Sequence, residues 1–548
     1  MNSSPSFKRP AIWLLVLIGA LIWFGSLDYR HLVKTDEGRY AEIAREMVAS
    51  GDWMTPRLNG IKYFEKPALQ YWATAAAFTA FGEHEWTARL WSALAGFFGI
   101  ALVWFAGRRL FGPDAGFYAA LITGSSLLYA LIGHINTLDM GVTFFMTAGM
   151  IGFLLAQRSG ANDRENRLWM HVAWAALAFS VLSKGLIGLI LPGAVLVIYT
   201  LAQRDWALWK RLHLATGLAL FLAISTPWFV AVSLANPEFF HFFFIHEHFE
   251  RFLTKAHGRY HPWWYFVPIL LAGILPWAGL MFDALARAWK REAGTFQPKR
   301  FLLIWAVFIY VFFSVSSSKL PSYILPIFPA FALLMGERLA HLKARALFWQ
   351  TVPVAVLAGL GFVLAPLVVT FSSEEIPAGL YEKYAVWLAV AAAVWFVGAV
   401  IALYFAHKNR IRPAVIALAF SSLVFGQLVL AGHESLAPSN SSYYLAQKIK
   451  PYLKPDIPFY SMGMYDQTLP FYIKRTVTLV AHQDELEFGL AQEPQKWLPD
   501  FAAFEKAWRS QPHALAIMEP AIYQQFKAGG LPMEVIAKDT RRVVVRTP

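Results

Sequence analysis

The sequence predicts a mainly α-helical, polytopic membrane protein that ends in a small extracytoplasmic α/β domain. Hydrophobic residues make up 57% of the 548 residues and charged residues only 15%, and the mean hydropathy is +0.44. A soluble globular protein of this length is far more polar. Many apolar segments also reach the length of about 20 residues that a helix needs to cross a hydrocarbon core of roughly 30 Å.

Thirteen membrane-spanning helices are predicted from these apolar segments. Only a short polar break at Lys184 and at Lys319 separates two pairs of them, so any count from eleven to fourteen fits the sequence. The predicted spans lie near 11–27, 86–107, 114–132, 140–157, 168–183, 185–202, 212–233, 263–285, 301–317, 322–340, 347–371, 384–406 and 413–432.

Lys and Arg mark alternate loops between the predicted spans. If the N-terminus with Lys8 and Arg9 is cytoplasmic, every inside loop is basic, as the positive-inside rule requires. The first span is then an uncleaved signal-anchor, because no small-residue cleavage site follows it. The net charge of +13 follows from this topology, with attraction to anionic lipid as a second use, and needs no nucleic acid.

Three long segments fall on the outer side: 28–85, 234–262 and everything after about 433. The chain has no Cys, so packing rather than disulfides must stabilise the outer domain. A Gram-negative inner membrane facing the periplasm fits these features. The predicted division is a transmembrane domain over 1–432, which includes the first two outer segments, and a periplasmic α/β domain over 433–548.

The first outer segment carries the most specific motifs. A helix is predicted over 36–49, where apolar and charged residues recur at helical spacing, and a second over 67–81, lying on or dipping into the membrane. Between them, 51–60 has turn composition, and the motif YFEKP follows at 63–67. Lys66 stands before a Pro that can begin a helix, so its ammonium could reach a phosphate at the headgroup level.

These residues resemble a known family. DEGRYAEIAREM at 36–47, GDWMTPRLNG at 51–60 and YFEKP at 63–67 are similar to motifs of bacterial lipid-linked sugar transferases of the GT-C class, most of all the lipid A 4-amino-4-deoxy-L-arabinose transferases. The resemblance implies a GT-C fold, a large outer cavity, an undecaprenyl-phosphate-linked sugar donor and a lipid A phosphate acceptor. It also implies a less negative cell surface and resistance to polymyxin and other cationic peptides.

The chemistry of such a transfer indicates which charges the site needs. An outward-facing transferase has no ready access to nucleotide sugars, which favours a polyprenyl phosphate donor. Bond cleavage builds positive charge on the sugar and negative charge on the leaving phosphate, so carboxylates and cations are both required. Asp36, Arg39 and Lys66 supply both signs.

Two carboxylates are the catalytic candidates, each with a structural alternative. Asp36 would orient the acceptor or stabilise the developing positive charge, and otherwise it is an N-cap, with Thr35 as a competing cap. A phosphate acceptor is already a nucleophile, so Asp36 need not be a general base, whereas a hydroxyl acceptor would need one. Asp139 lies at the outer turn between the third and fourth spans, and its alternative is a helix cap beside Met140.

The segment 246–252 holds the densest outer cluster of charged and His residues. His246 and His248 point apart on a helix, whereas His246 and Glu250 would share a face, so a local metal motif is weak. The stronger version joins one of these His residues to Glu65, and a divalent metal such as Zn is the cofactor that it would suit. The alternative is hydrogen bonding to headgroups or to the sugar. Arg251 is a separate candidate, because its guanidinium can bind a phosphate bidentately.

Three further cations lie at the predicted membrane boundaries. Lys319 stands at an outer helix break that resembles the family pattern, and Tyr323 beside it could hydrogen-bond the donor sugar or phosphate. For Lys184 and Lys319 the alternative is snorkelling to the interface, and it is stronger for Lys184. Arg89 is interpreted as an anchor for the start of the second span.

The C-terminal segment changes pattern after about 433. Short apolar runs at 457–462, 476–480, 514–518 and 542–545 alternate with helix-like stretches at 442–452 and 500–510, which predicts a mixed or parallel sheet with helices. No glycine-rich phosphate loop is present, so no nucleotide is assigned. We expect this domain to cap the outer cavity or to help admit the acceptor.

The leading functional hypothesis is a glycosyltransferase that moves aminoarabinose from undecaprenyl phosphate to lipid A phosphate. The expected partners are these two lipids and the membrane, and the expected state is a monomer. The alternatives are a GT-C enzyme acting on protein or on another envelope polymer, and a secondary transporter. Transporters carry midspan charges and topological repeats, whereas the charges here gather at the outer ends, which disfavours that class.

Overall fold

The computed structural model describes residues 9–250 and 261–548, except for the side chains at 9 and 248–250. The described chain forms two compact units. The first comprises the described parts of Met1–Leu27 and Leu90–Val363, together with Leu388–Leu430. The second comprises Asp28–Arg89, Leu364–Trp387 and Ala431–Pro548.

This grouping differs from the division predicted at 432/433, which kept the first outer segment in the membrane domain. The reason lies in the contacts of that segment with the C-terminal chain inside the second unit. The Arg57 guanidinium pairs with the Glu493 carboxylate at 3.0 Å. The Asn59 side chain both donates to the Val477 carbonyl at 2.7 Å and accepts from the Val477 amide at 2.8 Å.

Helices dominate the chain up to residue 432. Each of the thirteen predicted spans falls on one helix or on two consecutive helical segments. The helices are α1 (Arg9–Phe24), α2 (Asp36–Ser50), α3 (Leu69–Phe81), α4 (Glu85–Phe111), α5 (Pro113–Ser125), α6 (Leu127–Ile132), α7 (Leu138–Gln157), α8 (Asp163–Lys184), α9 (Ile187–Gln203), α10 (Leu214–Ala235), α11 (Phe266–Gly273), α12 (Ala278–Ala288), α13 (Pro298–Val315), α14 (Phe328–Ala340), α15 (Ala344–Leu364), α16 (Ala378–His407) and α17 (Ile411–Gly432).

Shorter helical segments complete this part of the chain: a π-helical segment at His241–Glu250 and 3₁₀ segments at Trp206–Arg211, Pro321–Ile327 and Ala365–Phe371. Eight helices among the described residues are long and apolar enough to cross a membrane, and α11 with α12, bent by 108°, would make a ninth. The protein is therefore a multi-pass membrane protein, as predicted. The count of thirteen stays a prediction.

Helix α2 occupies the predicted position in the first outer segment. Asp36 and Glu37 lie in its first turn, where negative charge is favourable at the helix N-terminus. It ends at Ser50, and the following Gly51 adopts the left-handed φ of 74° that is common just after a helix C-terminus. The turn that follows contains a short antiparallel hairpin, β1 (Arg57–Leu58) and β2 (Ile61–Lys62), before α3 begins.

The predicted α/β region at the C-terminus is confirmed. A six-stranded mixed sheet has the order β5-β4-β3-β6-β8-β7, in which β5, β4, β3 and β6 run parallel and β8 and β7 add antiparallel pairs. Its elements are α18 (Ala437–Asn440), α19 (Tyr443–Ile449), β3 (Phe459–Met462), α20 (Leu469–Ile473), β4 (Thr478–Val480), α21 (Glu487–Gln492), β5 (Trp497–Leu498), α22 (Phe501–Ser510), β6 (Leu515–Met518), α23 (Pro520–Ala528), β7 (Glu534–Lys538) and β8 (Val543–Arg546), with 3₁₀ turns at His433–Leu436, Lys450–Tyr452, Asp484–Leu486 and Pro494–Lys496.

A buried arginine ties the sheet to the chain that enters it. Arg542 precedes β8 and donates to the carboxylates of Asp466 at 2.6 Å and Asp539 at 2.5 Å, and to the Ser442 hydroxyl at 2.6 Å. Burial opposes ionisation of Asp466, but the Arg542 guanidinium outweighs it and lowers the pKa of Asp466 to about 2. The loop after β3 is thereby held next to the start of α19.

Candidate active site

Asp36 is the first residue of α2 and not its cap. Thr35 occupies the N-cap position, although its side chain makes no capping bond, so the N-cap alternative for Asp36 is wrong. Its Oδ1 lies 3.3 Å from Nη1 of Arg39, one turn along the helix, and the side chain is 35% exposed. The carboxylate is thus partly open and held beside a cation.

Arg39 also pairs with Glu485, which the sequence did not single out. Glu485 follows β4, at the carboxyl edge of the parallel strands, where open α/β sheets commonly bind ligands. Burial raises the pKa of Glu485 above its ordinary value, and the Arg39 guanidinium opposes that rise. Its position just beyond a predicted apolar strand run was the one signal in the sequence that could have identified it.

Beside this pair lie three buried polar atoms that lack a hydrogen-bond partner among the described residues: Nε of Arg39 and the hydroxyls of Tyr63 and Tyr71. All three side chains are buried. Burial raises the pKa of both tyrosines well above 10.0, so they are neutral donors. The Tyr40 ring packs 5.9 Å from the Tyr71 ring. We call Asp36, Arg39, Tyr63, Tyr71 and Glu485 the α2 cluster.

Glu65 and Lys66 lie two and three residues after Tyr63 along the chain. The Lys66 ammonium donates to the Glu65 carbonyl at 2.7 Å and lies 3.8 Å from the Glu65 carboxylate. The Glu65 charge is close enough to raise the pKa of Tyr63, after the larger effect of burial. The two charged residues of the predicted motif therefore adjoin the α2 cluster within the second unit.

Arg89 anchors more than the start of its own helix. Its Nε and Nη2 each donate to the Glu37 carboxylate at 2.8 Å, and Nη1 and Nη2 reach the carbonyls of Arg30 at 2.6 Å and His31 at 3.0 Å. From the sequence, Arg89 is interpreted as an anchor for its own helix. Its bidentate pair also immobilises Glu37, the residue next to Asp36.

In the first unit, three predicted residues come together. Asp139, the second residue of α7, forms an ion pair with Lys184, and the Lys184 ammonium lies 4.7 Å from the centre of the Tyr323 ring. Thr137 is the N-cap position of α7, so Asp139 is not the cap. The snorkelling interpretation of Lys184 is wrong, because its ammonium is directed at a carboxylate within the protein.

Lys319 is engaged by backbone carbonyls. Its ammonium donates to the carbonyls of Ser316 at 2.5 Å and His261 at 2.9 Å, and the residue is 3% exposed. This arrangement fixes the turn between α13 and the following 3₁₀ segment. A snorkelling side chain would reach the membrane interface, which this buried ammonium does not do. The contact of Lys319 with substrate stays a prediction.

No contact among the described residues brings the predicted metal ligands together. The described residues contain no group of three or more His, Asp or Glu side chains placed to hold a metal ion. The His246 ring stacks on Phe242 with 5.1 Å between centroids. The side chain of His248 and all of Arg251 lie outside the described residues, so the roles predicted for them, and a metal at Glu65, His246 and His248, stay predictions.

Glu42 and Glu46 form a buried acidic pair on α2 that should make the stability of the protein depend on pH. Glu42 is buried and accepts from the Arg45 guanidinium twice at 2.6 Å, and Glu46 lies one turn on and accepts from the Gly60 amide at 2.7 Å. Burial, and next the Glu42 carboxylate, raises the pKa of Glu46 well above 4.5. The folded protein therefore keeps a proton that the unfolded chain releases.

We expect the contribution of Glu46 to thermal stability to be fully present below its ordinary pKa of 4.5 and to be lost as the pH rises through the raised pKa. One proton gives a slope of at most about 1.4 kcal/mol per pH unit. Glu46→Gln should remove this loss, so that its melting temperature varies less with pH above about pH 5 than that of the wild type. Glu505→Gln, on the exposed face of α22, is the matched control and should keep the wild-type slope; an unchanged slope in Glu46→Gln would refute the assignment.

Comparison with known families adds independent information. The family described as "Aminoarabinose transferase C-terminal domain" matches residues 445–547, and that described as "Dolichyl-phosphate-mannose-protein mannosyltransferase" matches 11–282. An undecaprenyl phosphate-alpha-4-amino-4-deoxy-L-arabinose arabinosyl transferase of Proteus mirabilis is 30% identical over 547 residues, covering 97% of this chain and 94% of its own. The protein of that name from Edwardsiella ictaluri is 34% identical over 422 residues, 74% of each chain.

Two solved structures of one relative superpose closely on this chain. The crystal structure of ArnT from Cupriavidus metallidurans bound to undecaprenyl phosphate superposes with a TM-score of 0.94 at 42% identity, covering 98% of both chains. The apo state of that protein gives 0.93 at 41% identity. An oligosaccharyltransferase from Archaeoglobus fulgidus gives 0.53 at 12% identity over 94% of this chain and 70% of its own, which shows a shared fold alone.

Proposed function

The chain belongs to the family of undecaprenyl phosphate-α-4-amino-4-deoxy-L-arabinose arabinosyl transferases, and from this premise we propose that it transfers 4-amino-4-deoxy-L-arabinose from undecaprenyl phosphate to a phosphate of lipid A. It is a glycosyltransferase of the GT-C fold. The basic loops counted in the sequence support an outward-facing site, and hence a Gram-negative inner membrane with the reaction on the periplasmic side.

The observation that carries the proposal is the α2 cluster. A buried polar atom without a partner costs about 1–3 kcal/mol, so such atoms are rare and call for an explanation. Here a guanidinium nitrogen and two tyrosine hydroxyls share one neighbourhood with the Asp36 and Glu485 carboxylates. A bound sugar supplies hydroxyls that satisfy these donors, and the ammonium of an aminosugar pairs with a buried carboxylate.

The chemistry follows from these charges. The bond between the anomeric carbon and the donor phosphate oxygen breaks, and undecaprenyl phosphate leaves with the bonding electrons. An oxygen of the acceptor phosphate forms the new bond to the same carbon, so no hydroxyl proton has to be removed. Positive charge grows on the sugar in between, and Asp36 stabilises it electrostatically.

The remaining predicted residues take matching roles in the proposal. Lys66, and Arg251 in the part of the chain without a described structure, stabilise the phosphate of the donor as it leaves. Asp139, paired with Lys184, is the second proposed catalytic carboxylate. Lys319 and Tyr323 complete the proposed substrate-binding residues. No step depends on a metal ion.

Complementation tests the proposal in cells. The gene is introduced into a Gram-negative strain that lacks its own enzyme of this kind but makes the lipid-linked aminosugar. We expect aminosugar-modified lipid A and polymyxin resistance with the wild type, and about a tenfold or larger loss of modified lipid A with Lys66→Ala, because a charged contact to the leaving group is removed. Glu505→Gln, an exposed carboxylate paired only with Arg509 among the described residues, is the control.

Unmodified lipid A in every strain, with the protein present in the membrane, would contradict the proposal. A sugar appearing on protein or on another envelope polymer instead would favour the alternative GT-C specificity. Full activity of Lys66→Ala would remove that residue from the site while leaving the assigned reaction intact.

A further inference from the structure

A second set of cations lies in the second unit, outside the α2 cluster: Lys34, two residues before Asp36, and Arg541. The turn between β7 and β8 presents Arg541, whose Nη1 donates to the Ser439 carbonyl at 2.8 Å. The next residue along, Asn440, accepts from the Lys34 amide at 3.0 Å. Adjacent carbonyls of one short segment therefore hold Arg541 and Lys34 in the same place.

The position of this pair relative to the bilayer follows from a third contact. Arg541 Nε lies 3.4 Å from the Glu375 carboxylate, and the Thr540 hydroxyl donates to the Glu375 carbonyl at 2.6 Å. Glu375 belongs to the short turn between the spans Ala344–Phe371 and Ala378–His407. A turn that joins two membrane-spanning helices lies at the headgroup level, and so do the groups in contact with it.

The charges around the pair leave it able to accept an anion. The Lys34 ammonium forms no hydrogen bond or ion pair with any residue in 9–250 or 261–548. Burial lowers the pKa of Lys34, and the like charge of Arg541 lowers it further. The neighbouring Arg542 guanidinium already forms ion pairs with Asp466 and Asp539. The Glu375 side chain is 65% exposed, so it compensates the cations weakly.

We propose that Lys34, which stands two residues before Asp36, and Arg541 form the subsite that binds the phosphate of the lipid acceptor. The inference rests on the proposed function, which requires two lipid phosphates at one site. Lys66 and Arg251 are assigned to the donor phosphate. A phosphate monoester at the membrane surface carries more charge than the donor diester, and two cations at headgroup level, one of them unpaired, suit that chemistry.

Steady-state kinetics of the purified full-length protein separates the two lipids. We expect Lys34→Ala and Arg541→Ala each to raise the KM for lipid A about tenfold, the effect of losing one charged contact, with the KM for the donor unchanged. Lys34→Arg should restore most of the lipid A affinity. Arg546→Ala removes a cation of β8 that pairs with Glu534 at 2.7 Å, and as the matched control it should change neither KM.

Glu375→Gln distinguishes phosphate binding from a tether. If Arg541 matters only through its contact with Glu375, this variant will raise the lipid A KM as Arg541→Ala does, and the inference fails. If the cations bind phosphate, the lipid A KM will stay equal or fall. Inorganic phosphate added to the assay should compete with lipid A in the wild type but less in Lys34→Ala, and equal competition would also overturn the subsite. A wild type without any transfer would instead refute the proposed function.

Discussion

Asp36→Asn is expected to lower the turnover number about 100- to 1,000-fold without unfolding the protein. The carboxylate lies beside Arg39 at the partly exposed start of α2, where it can face the positive charge that develops on the sugar. Loss of one preorganised electrostatic group costs about this factor in other enzymes. Asn keeps the size of the side chain, and the N-terminus of α2 does not use Asp36 as a cap.

Initial rates at saturating donor and acceptor measure this effect, and thermal unfolding measures folding. Asp456→Asn removes an exposed carboxylate of the C-terminal region and should retain the wild-type rate. If Asp36 acts electrostatically, the KM for lipid A should change only a few-fold in Asp36→Asn. A wild-type turnover number in Asp36→Asn would exclude Asp36 from catalysis, and a lower melting temperature alone would make its role structural.

Gly38→Ala is expected to reduce activity about 100-fold, because it displaces α2 from the C-terminal chain. A Cβ at Gly38 would lie 2.6 Å from the Gln467 carbonyl oxygen and 2.7 Å from the Thr468 methyl carbon. The backbone must move to admit it, at a cost of about 1–3 kcal/mol. The same turn of α2 carries Asp36 and Arg39, and a shift of about 1 Å in reacting groups can cost 100-fold in rate.

The measurement is again the turnover number, together with the melting temperature. Gly379→Ala is the matched control: it also lies in a helix, and a Cβ there would meet nothing within 4 Å. It should leave both quantities unchanged. If Gly38→Ala retained full activity, the close approach between α2 and the loop after β3 would have no part in positioning the site.

Local patterns predicted much of the second unit. The helix predicted over 36–49 is observed as α2, the helix over 67–81 as α3, and the turn composition of 51–60 as the region of the β1–β2 hairpin. The four apolar runs of the C-terminal region each overlap a strand. These features depend on the spacing of apolar residues and on Gly and Pro, which a sequence shows directly.

Pairings between distant positions could not be predicted in the same way. The apolar run before Glu485 marks the end of a strand, but no local pattern indicates that Glu485 pairs with Arg39. Lys184 followed the pattern of a snorkelling residue, and its ion pair with Asp139 depends on how α7 and α8 pack. The unpartnered hydroxyls of Tyr63 and Tyr71 become visible only once the surrounding side chains are placed. Such tertiary contacts carry most of the chemistry of the candidate site.

Mass spectrometry of lipid A after incubation with the purified protein and undecaprenyl-phosphate-linked aminoarabinose tests the central claim most directly. We predict that lipid A gains the mass of one aminoarabinose unit on a phosphate, and that lipid A without its phosphates gains none. Asp36→Asn in the same assay should give little product. Lipid A of unchanged mass would contradict the assigned reaction, whether or not the donor is consumed.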